Sequence, residues 1–320
     1  MKAATRPRSF RDRALLAGLR LIPKPLARHL MFLLQAHPGL ADEWGYHVRS
    51  IHYYEPLPDF RTITPEATRR RRIATGIDFD LDGQRRLVRR LGAAYRHELD
   101  ALAAAPAAFD FRNLYFAGLD AAMYYALIRD LRPARIIEIG SGMSTRIADK
   151  ALVQNRAAGH GGELICIEPF PEPRLTQDMP PLTLIGQPVE GVPLEEFDRL
   201  NANDILFIDS SHAVKFGGDV CREFLEILPR LKPGVWVHVH DVFFPQDYPA
   251  TWLIDQRIAF TEQYLLEAFL SFNRQFAVRA ANYWLAADYR DDVEMLASPA
   301  LWPGGEHGRG SFWMQRVAAA

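Results

Sequence analysis

The chain has 320 residues, 48% of them hydrophobic and 24% charged, with a formal net charge of -1. These values are ordinary for a soluble globular protein, and no global positive field favours nucleic acid as a partner. Two cysteines exclude a disulfide framework and fit a reducing, cytoplasmic setting. No apolar run approaches the roughly 20 residues needed to span a bilayer; Leu30–Leu34 is far too short.

In chain order, the first 35 residues carry eight Lys and Arg against Asp12 alone, interleaved with Leu15, Leu16, Leu19, Leu21 and Ile22. This segment reads as a solvated basic amphipathic helix. Peripheral contact with an anionic membrane surface and a cleaved targeting segment are the alternatives. Residues 1–111 read as a helical N-terminal extension or lid, broken by proline-rich turns such as Tyr53–Asp59. Trp44, Tyr46, His52, Tyr53 and Tyr54 are expected mainly to pack these extra helices on the sheet, with a lid as the alternative. The run Arg69–Arg72 reads as a solvated face. Leu87, Leu91, Ala94 and Leu102 predict an amphipathic helix over Gln84–Leu102.

From residue 112 to 320 the rhythm is that of a second domain. A helix over Asp120–Leu131 precedes a strand at Arg135–Ile139. Next come a helix from Ser144 to about Asn155, strands at Glu163–Ile167 and Leu182–Ile185, and a short helix near Leu194–Leu200. A strand follows at Asp204–Ile208, then one helix over Gly218–Leu231 and a strand at Val235–Val239. The chain closes with a helix over Thr261–Ser271 and strands at Phe276–Ala280 and Ser311–Val317. Strands alternating with helices of this length predict a doubly wound, mostly parallel sheet with helices on both faces. Ligands in such sheets sit beyond the C-terminal strand ends. That directs attention to Gly140–Ser144, Glu168, Asp209–His212 and His240–Asp241.

Gly140 and Gly142 allow a tight turn and close backbone approach to a ligand, and Ser144 or Thr145 can cap the helix that follows. A dinucleotide fingerprint wants a third glycine or alanine, and here that position is Thr145. Glu138, beneath the turn, repels a pyrophosphate and favours the ammonium end of an amino-acid cofactor. Glu168, 26 residues after Gly142, is placed to accept both ribose hydroxyls. These details favour S-adenosylmethionine over a dinucleotide. Val189–Gly191 is the expected region of adenine contacts.

At the next strand ends, Asp209 and Asp241 are expected to converge. Two carboxylates suit Mg²⁺ or a similar hard cation, and His240 would extend the site to Mn²⁺, Fe²⁺ or Zn²⁺. His212 is the candidate general base, with His240 as a second; His238, inside a strand, reads as structural. Phe243–Pro249 is either an acceptor-binding wall or ordinary loop packing.

Glu138–Gly142, Glu168, Phe207–His212 and Leu231–Val235, with the late stretch Ser311–Met314, make residues 112–318 resemble the class I S-adenosylmethionine-dependent methyltransferases. The resemblance implies a Rossmann-like seven-stranded sheet, methyl transfer, and cofactor contacts at Glu138, Gly140, Ser141, Gly142, Ser144, Glu168 and Asp209. The metal-dependent O-methyltransferase subset implies Asp209, His240 and Asp241 as ligands, although His240 stands where a carboxylate or amide is usual. The expected reaction is O-methylation of a small-molecule or glycan hydroxyl. A nicotinamide-dependent oxidoreductase and a non-catalytic binding protein are the alternatives.

Overall fold

The computed structural model describes residues 10–171, 182–305 and 307–318. Two compact units are present: Met1–Thr68 with Pro249–Ala259, and Arg69–Tyr248 with Phe260–Ala320. The division by packing therefore counts the long helix Leu81–Ala103 with the sheet rather than with the N-terminal extension.

In the first unit, helices span Phe10–Leu21, Lys24–Ala36 and Pro38–Glu43. Pro25 and Pro38 sit in the first turns of the latter two, where a missing N–H costs nothing. Among the unit's described residues only Leu34, Ala41, Thr68 and Leu253 are buried. Trp44, Tyr46, Tyr53 and Tyr54 are exposed, so they do not form the packing layer expected of them. No described helix is long and apolar enough to cross a membrane.

The second unit holds a seven-stranded sheet. Its strands are β1 (Arg135–Ile139), β2 (Glu163–Ile167), β3 (Thr183–Ile185), β4 (Ile205–Ile208), β5 (Trp236–Val239), β6 (Phe276–Ala281) and β7 (Phe312–Arg316). Their order is β3-β2-β1-β4-β5-β7-β6. The first five are parallel; β7 lies antiparallel between β5 and β6. The doubly wound, mostly parallel sheet read from the sequence is therefore the fold.

Period-two alternation sends each strand's side chains into two separate cores. Ile136, Cys166, Phe207 and Trp236 face one layer, with Leu91 and Leu99 of the long helix and most of helix Gly118–Leu131. Ile137, Ile165, Leu206 and Val237 face the other, with Phe197, Phe224 and Leu266. Both faces are covered, which is why these strands read as continuous apolar runs.

One predicted element differs. The helix expected over Gly218–Leu231 is α-helical only at Asp219–Arg222, widens to a π-helix at Glu223–Ile227, and tightens to 3₁₀ at Leu228–Arg230. Pro229 is the physical reason: its ring cannot coexist with a regular turn above the Leu225 carbonyl.

Candidate active site

β1 ends at Ile139, and the chain reverses through Gly140, whose φ is +92°. A Cβ there would lie 2.3 Å from the Asp209 carbonyl oxygen, so the first glycine turn and the β4 tip touch with no room for a side chain. Helix Met143–Ala157 follows directly. Its capping hydroxyl is that of Thr145, which accepts from the Gly142 N–H at 2.9 Å. Thr145 thus does at this position what Ser144, buried beside it in the first turn, was equally suited to do.

Glu138 lies on the face of β1 that meets helix Gly118–Leu131 and is fully buried. The Tyr124 hydroxyl donates to its Oε1 at 2.9 Å, and the Cys166 Sγ lies 3.6 Å from Oε2. Burial pushes its pKa up to about 7, against the opposing pull of hydrogen bonds from Thr145, Tyr124 and Cys166. Because Thr145 bonds both Glu138 and the Gly142 amide, the acid braces the glycine turn from below.

Glu168, at the β2 tip, is half-buried. Its Oε2 accepts from the Ser141 N–H at 3.3 Å and its Oε1 from the Phe170 N–H at 2.8 Å. The carboxylate therefore borders the glycine turn, held there by two backbone donors among the described residues. Val189–Gly191 forms a 3₁₀ turn after β3.

At the neighbouring tips, His212 Nε2 lies 3.3 Å from Asp209 Oδ1 and 3.5 Å from Asp241 Oδ2. Its Nδ1 lies 2.8 Å from Glu262 Oε2. The His212 carbonyl accepts from the Thr261 and Glu262 N–H groups at 2.9 and 3.1 Å, fixing this loop to the start of helix Glu262–Leu270. His240 Nε2 stands 3.5 Å from Asp241 Oδ1. His212 and Asp241 both occupy the left-handed backbone region, at φ +58° and +57°. Non-glycine residues in such regions concentrate at functional sites.

The charges reinforce one another. Burial alone would lower the His212 pKa, but Asp209, Glu262 and Asp241 outweigh it and raise the ring well above the ordinary histidine value. Burial would raise Asp209, but His240 and His212 hold it well below the usual carboxylate range. His240 is raised by Asp241, Asp209 and Asp120 against the effect of burial. His238 differs: burial and then the His240 charge lower its pKa well below the ordinary value. It stacks on Phe207 at 3.8 Å and pairs with Ser311 Oγ at 2.9 Å, as a structural residue should.

Asp209, His212, His240 and Asp241 thus come together, while Glu138 lies inside the core. Among the described residues no group of three or more His, Cys, Asp or Glu is preassembled as a metal cage, and the His212 ring occupies the space between the two carboxylates. The donor set of Asp209, Asp241 and His240 is nonetheless chemically suited to a divalent cation. Phe243, Phe244 and Tyr248 are buried, packing against Tyr283 and Phe312 and within their own loop. The loop after β5 therefore follows the ordinary-packing reading. Sequence reasoning missed Glu262, because no spacing rule links it to a histidine 50 residues earlier.

The strand order, with an antiparallel β7 between β5 and β6 and a glycine turn after β1, defines the class I methyltransferase architecture. A methyltransferase-domain family matches residues 137–242. A curated protein of Archaeoglobus fulgidus, described as uncharacterized, is 30% identical over 48% of this chain and 74% of its own. Solved structures that resemble the chain include the O-methyltransferase TomG of Streptomyces achromogenes with S-adenosylmethionine: 18% identity, 69% of this chain and 89% of that one, TM-score 0.39. Another is an O-methyltransferase of Bacillus cereus with S-adenosylhomocysteine: 13% identity, 69% and 90% coverage, TM-score 0.34. A third is CmcI with Mg and S-adenosylmethionine: 17% identity, 62% and 72% coverage, TM-score 0.35. Residues 137–242 carry a methyltransferase domain, on the class I S-adenosylmethionine-dependent methyltransferase fold. The chain is an enzyme of that kind, and the nicotinamide alternative is set aside.

Proposed function

We propose that this methyltransferase acts on a hydroxyl oxygen of a small molecule or glycan, with Mg²⁺ or another divalent cation as a second cofactor. One observation carries the reading: a single imidazole nitrogen lies within 3.5 Å of carboxylates on two adjacent strand tips, beside the glycine turn. Proton-accepting groups and oxygen-preferring ligands gathered next to a methyl-donor site suit an oxygen acceptor.

Gly140, Ser141, Gly142 and Ser144 line the turn that takes the amino-acid end of S-adenosylmethionine, and Glu168 accepts its ribose hydroxyls. Glu138 acts as a positioning residue beneath that turn. Asp209 separates the two half-sites. His212, anchored through Nδ1 to Glu262 with Nε2 against Asp209 and Asp241, takes the acceptor's proton only in its neutral form, and His240 is the second candidate for that role. Asp209, His240 and Asp241 would hold the cation, which when bound lowers the pKa of the acceptor hydroxyl and aims its oxygen. What remains for the chain is in-line placement of two bound reactants. The enzyme acts, on this reading, in the cytoplasm, where free Cys166 and Cys221 stay reduced.

The test is calorimetric titration with S-adenosylhomocysteine, with NAD as control, followed by acceptor screening with and without a chelator. Asp241→Asn is expected to abolish turnover while leaving cofactor affinity nearly intact, and chelation to stop methyl transfer. Full activity in excess chelator would remove the cation; wild-type rates in the variant would remove Asp241.

A further inference from the structure

The first unit presents an apolar surface that its own fold does not cover. Leu15, Leu19 and Leu21 of helix Phe10–Leu21 are exposed, as are Leu26, Leu30 and Phe32 of helix Lys24–Ala36. Leu26, Leu30 and Leu33 follow i, i+4, i+7 spacing and form one stripe of the second helix, with Lys24 and Arg28 on its other side. Arg13 and Arg20 stand likewise opposite Leu15 and Leu19. Monomeric soluble proteins rarely leave contiguous apolar patches of more than a few hundred Å² in water.

Two further observations say what covers this surface. From Phe10 to Ala36 the helices carry Arg11, Arg13, Arg20, Lys24 and Arg28 against Asp12 alone. A second copy of this chain would bring two such basic surfaces together, whereas an anionic surface complements them. Trp44, Tyr46, Tyr53 and Tyr54 are also exposed, at 61 to 79%. Aromatic rings with a polar edge are the side chains that settle at a lipid–water boundary. Neither helix is long and apolar enough to span a bilayer, so the geometry is that of helices lying on one.

We propose that helices Phe10–Leu21 and Lys24–Ala36 dock the protein on an anionic lipid surface. The Leu side chains of the two stripes enter the headgroup boundary and the arginines and Lys24 meet the lipid phosphates. Attraction of this kind falls with salt, and each basic side chain near the surface strengthens binding about fivefold.

The experiment is flotation of the full chain with phosphatidylcholine vesicles, with and without phosphatidylglycerol. The protein is expected to float with the anionic vesicles, to be released by high salt, and to remain behind with phosphatidylcholine alone. Leu26→Glu/Leu30→Glu/Leu33→Glu is expected to abolish flotation, and Arg20→Gln/Arg28→Gln to weaken it some twentyfold or more, being two such factors. S-adenosylhomocysteine binding, read on each variant, is expected to stay at the wild-type value and so reports an intact sheet unit, and circular dichroism equal to wild type reports intact helices. No flotation of a wild-type protein that binds S-adenosylhomocysteine would overturn the proposal. So would flotation independent of lipid charge. A dimer in sedimentation that the Glu variant dissociates, with no vesicle binding, would assign the surface to a second copy instead.

Discussion

Glu138 and Glu168 sit near the same glycine turn in opposite environments, and the difference decides what each can do. Glu168 keeps its oxygens at the surface with two backbone donors. Glu168→Ala is expected to weaken S-adenosylhomocysteine binding by about 1.5–3 kcal/mol, the range for hydrogen bonds to a charged group; calorimetry measures it directly, and unchanged affinity would end the ribose-binding role. Glu138 has no exposure and a pKa raised from 4.5 to about 7. Its folded form therefore holds a proton that the unfolded chain has released. That contribution is fully present below pH about 4.5 and is lost as pH rises to about 7. The span corresponds to about 3 kcal/mol. Denaturant titrations across this window are expected to show a flatter pH dependence for Glu138→Gln than for wild type. Asp209, His212, His240 and Asp241 were legible because their strands were legible, and an acid just past a buried strand has one place to go. Glu262 and Tyr124 were not, since their partners come from packing between distant segments.

Among the elements, the β1–helix turn carries the tightest constraint. Gly140 has a positive φ and faces the Asp209 carbonyl, so Gly140→Ala imposes both backbone strain and a backbone clash. A loss of about 2 kcal/mol or more in urea unfolding is expected, together with weaker cofactor binding. Stability equal to wild type would mean the two strand tips can part freely. The segment after β4 shows where reading by element failed. Val220, Phe224, Ile227, Leu228 and Leu231 repeat like one helix, and all five are buried as that pattern implies. The backbone nevertheless changes register twice, because the constraint from Pro229 acts on hydrogen bonds and not on the apolar stripe.

At the scale of the whole molecule the two units differ in what holds them. The sheet unit has a buried layer on each face, whereas the described residues of the first unit bury four side chains. Local opening follows buried contact, so amides in β1, β4 and β5 are expected to exchange only through global unfolding. Those in the helices Phe10–Leu21 and Lys24–Ala36 should exchange orders of magnitude faster in the lipid-free protein. Comparable protection in both units would contradict this. The parallel half of the sheet could be read from continuous apolar strands and intervening helices. The insertion of β7 between β5 and β6 could not, since pairing between strands so far apart leaves no local periodicity. The contact of Gly140 with the β4 tip has an evolutionary reading. A seam that cannot admit one methyl group is closed to mutational drift. Descendants of this chain that take new acceptors are expected to keep this junction fixed and to change side chains elsewhere.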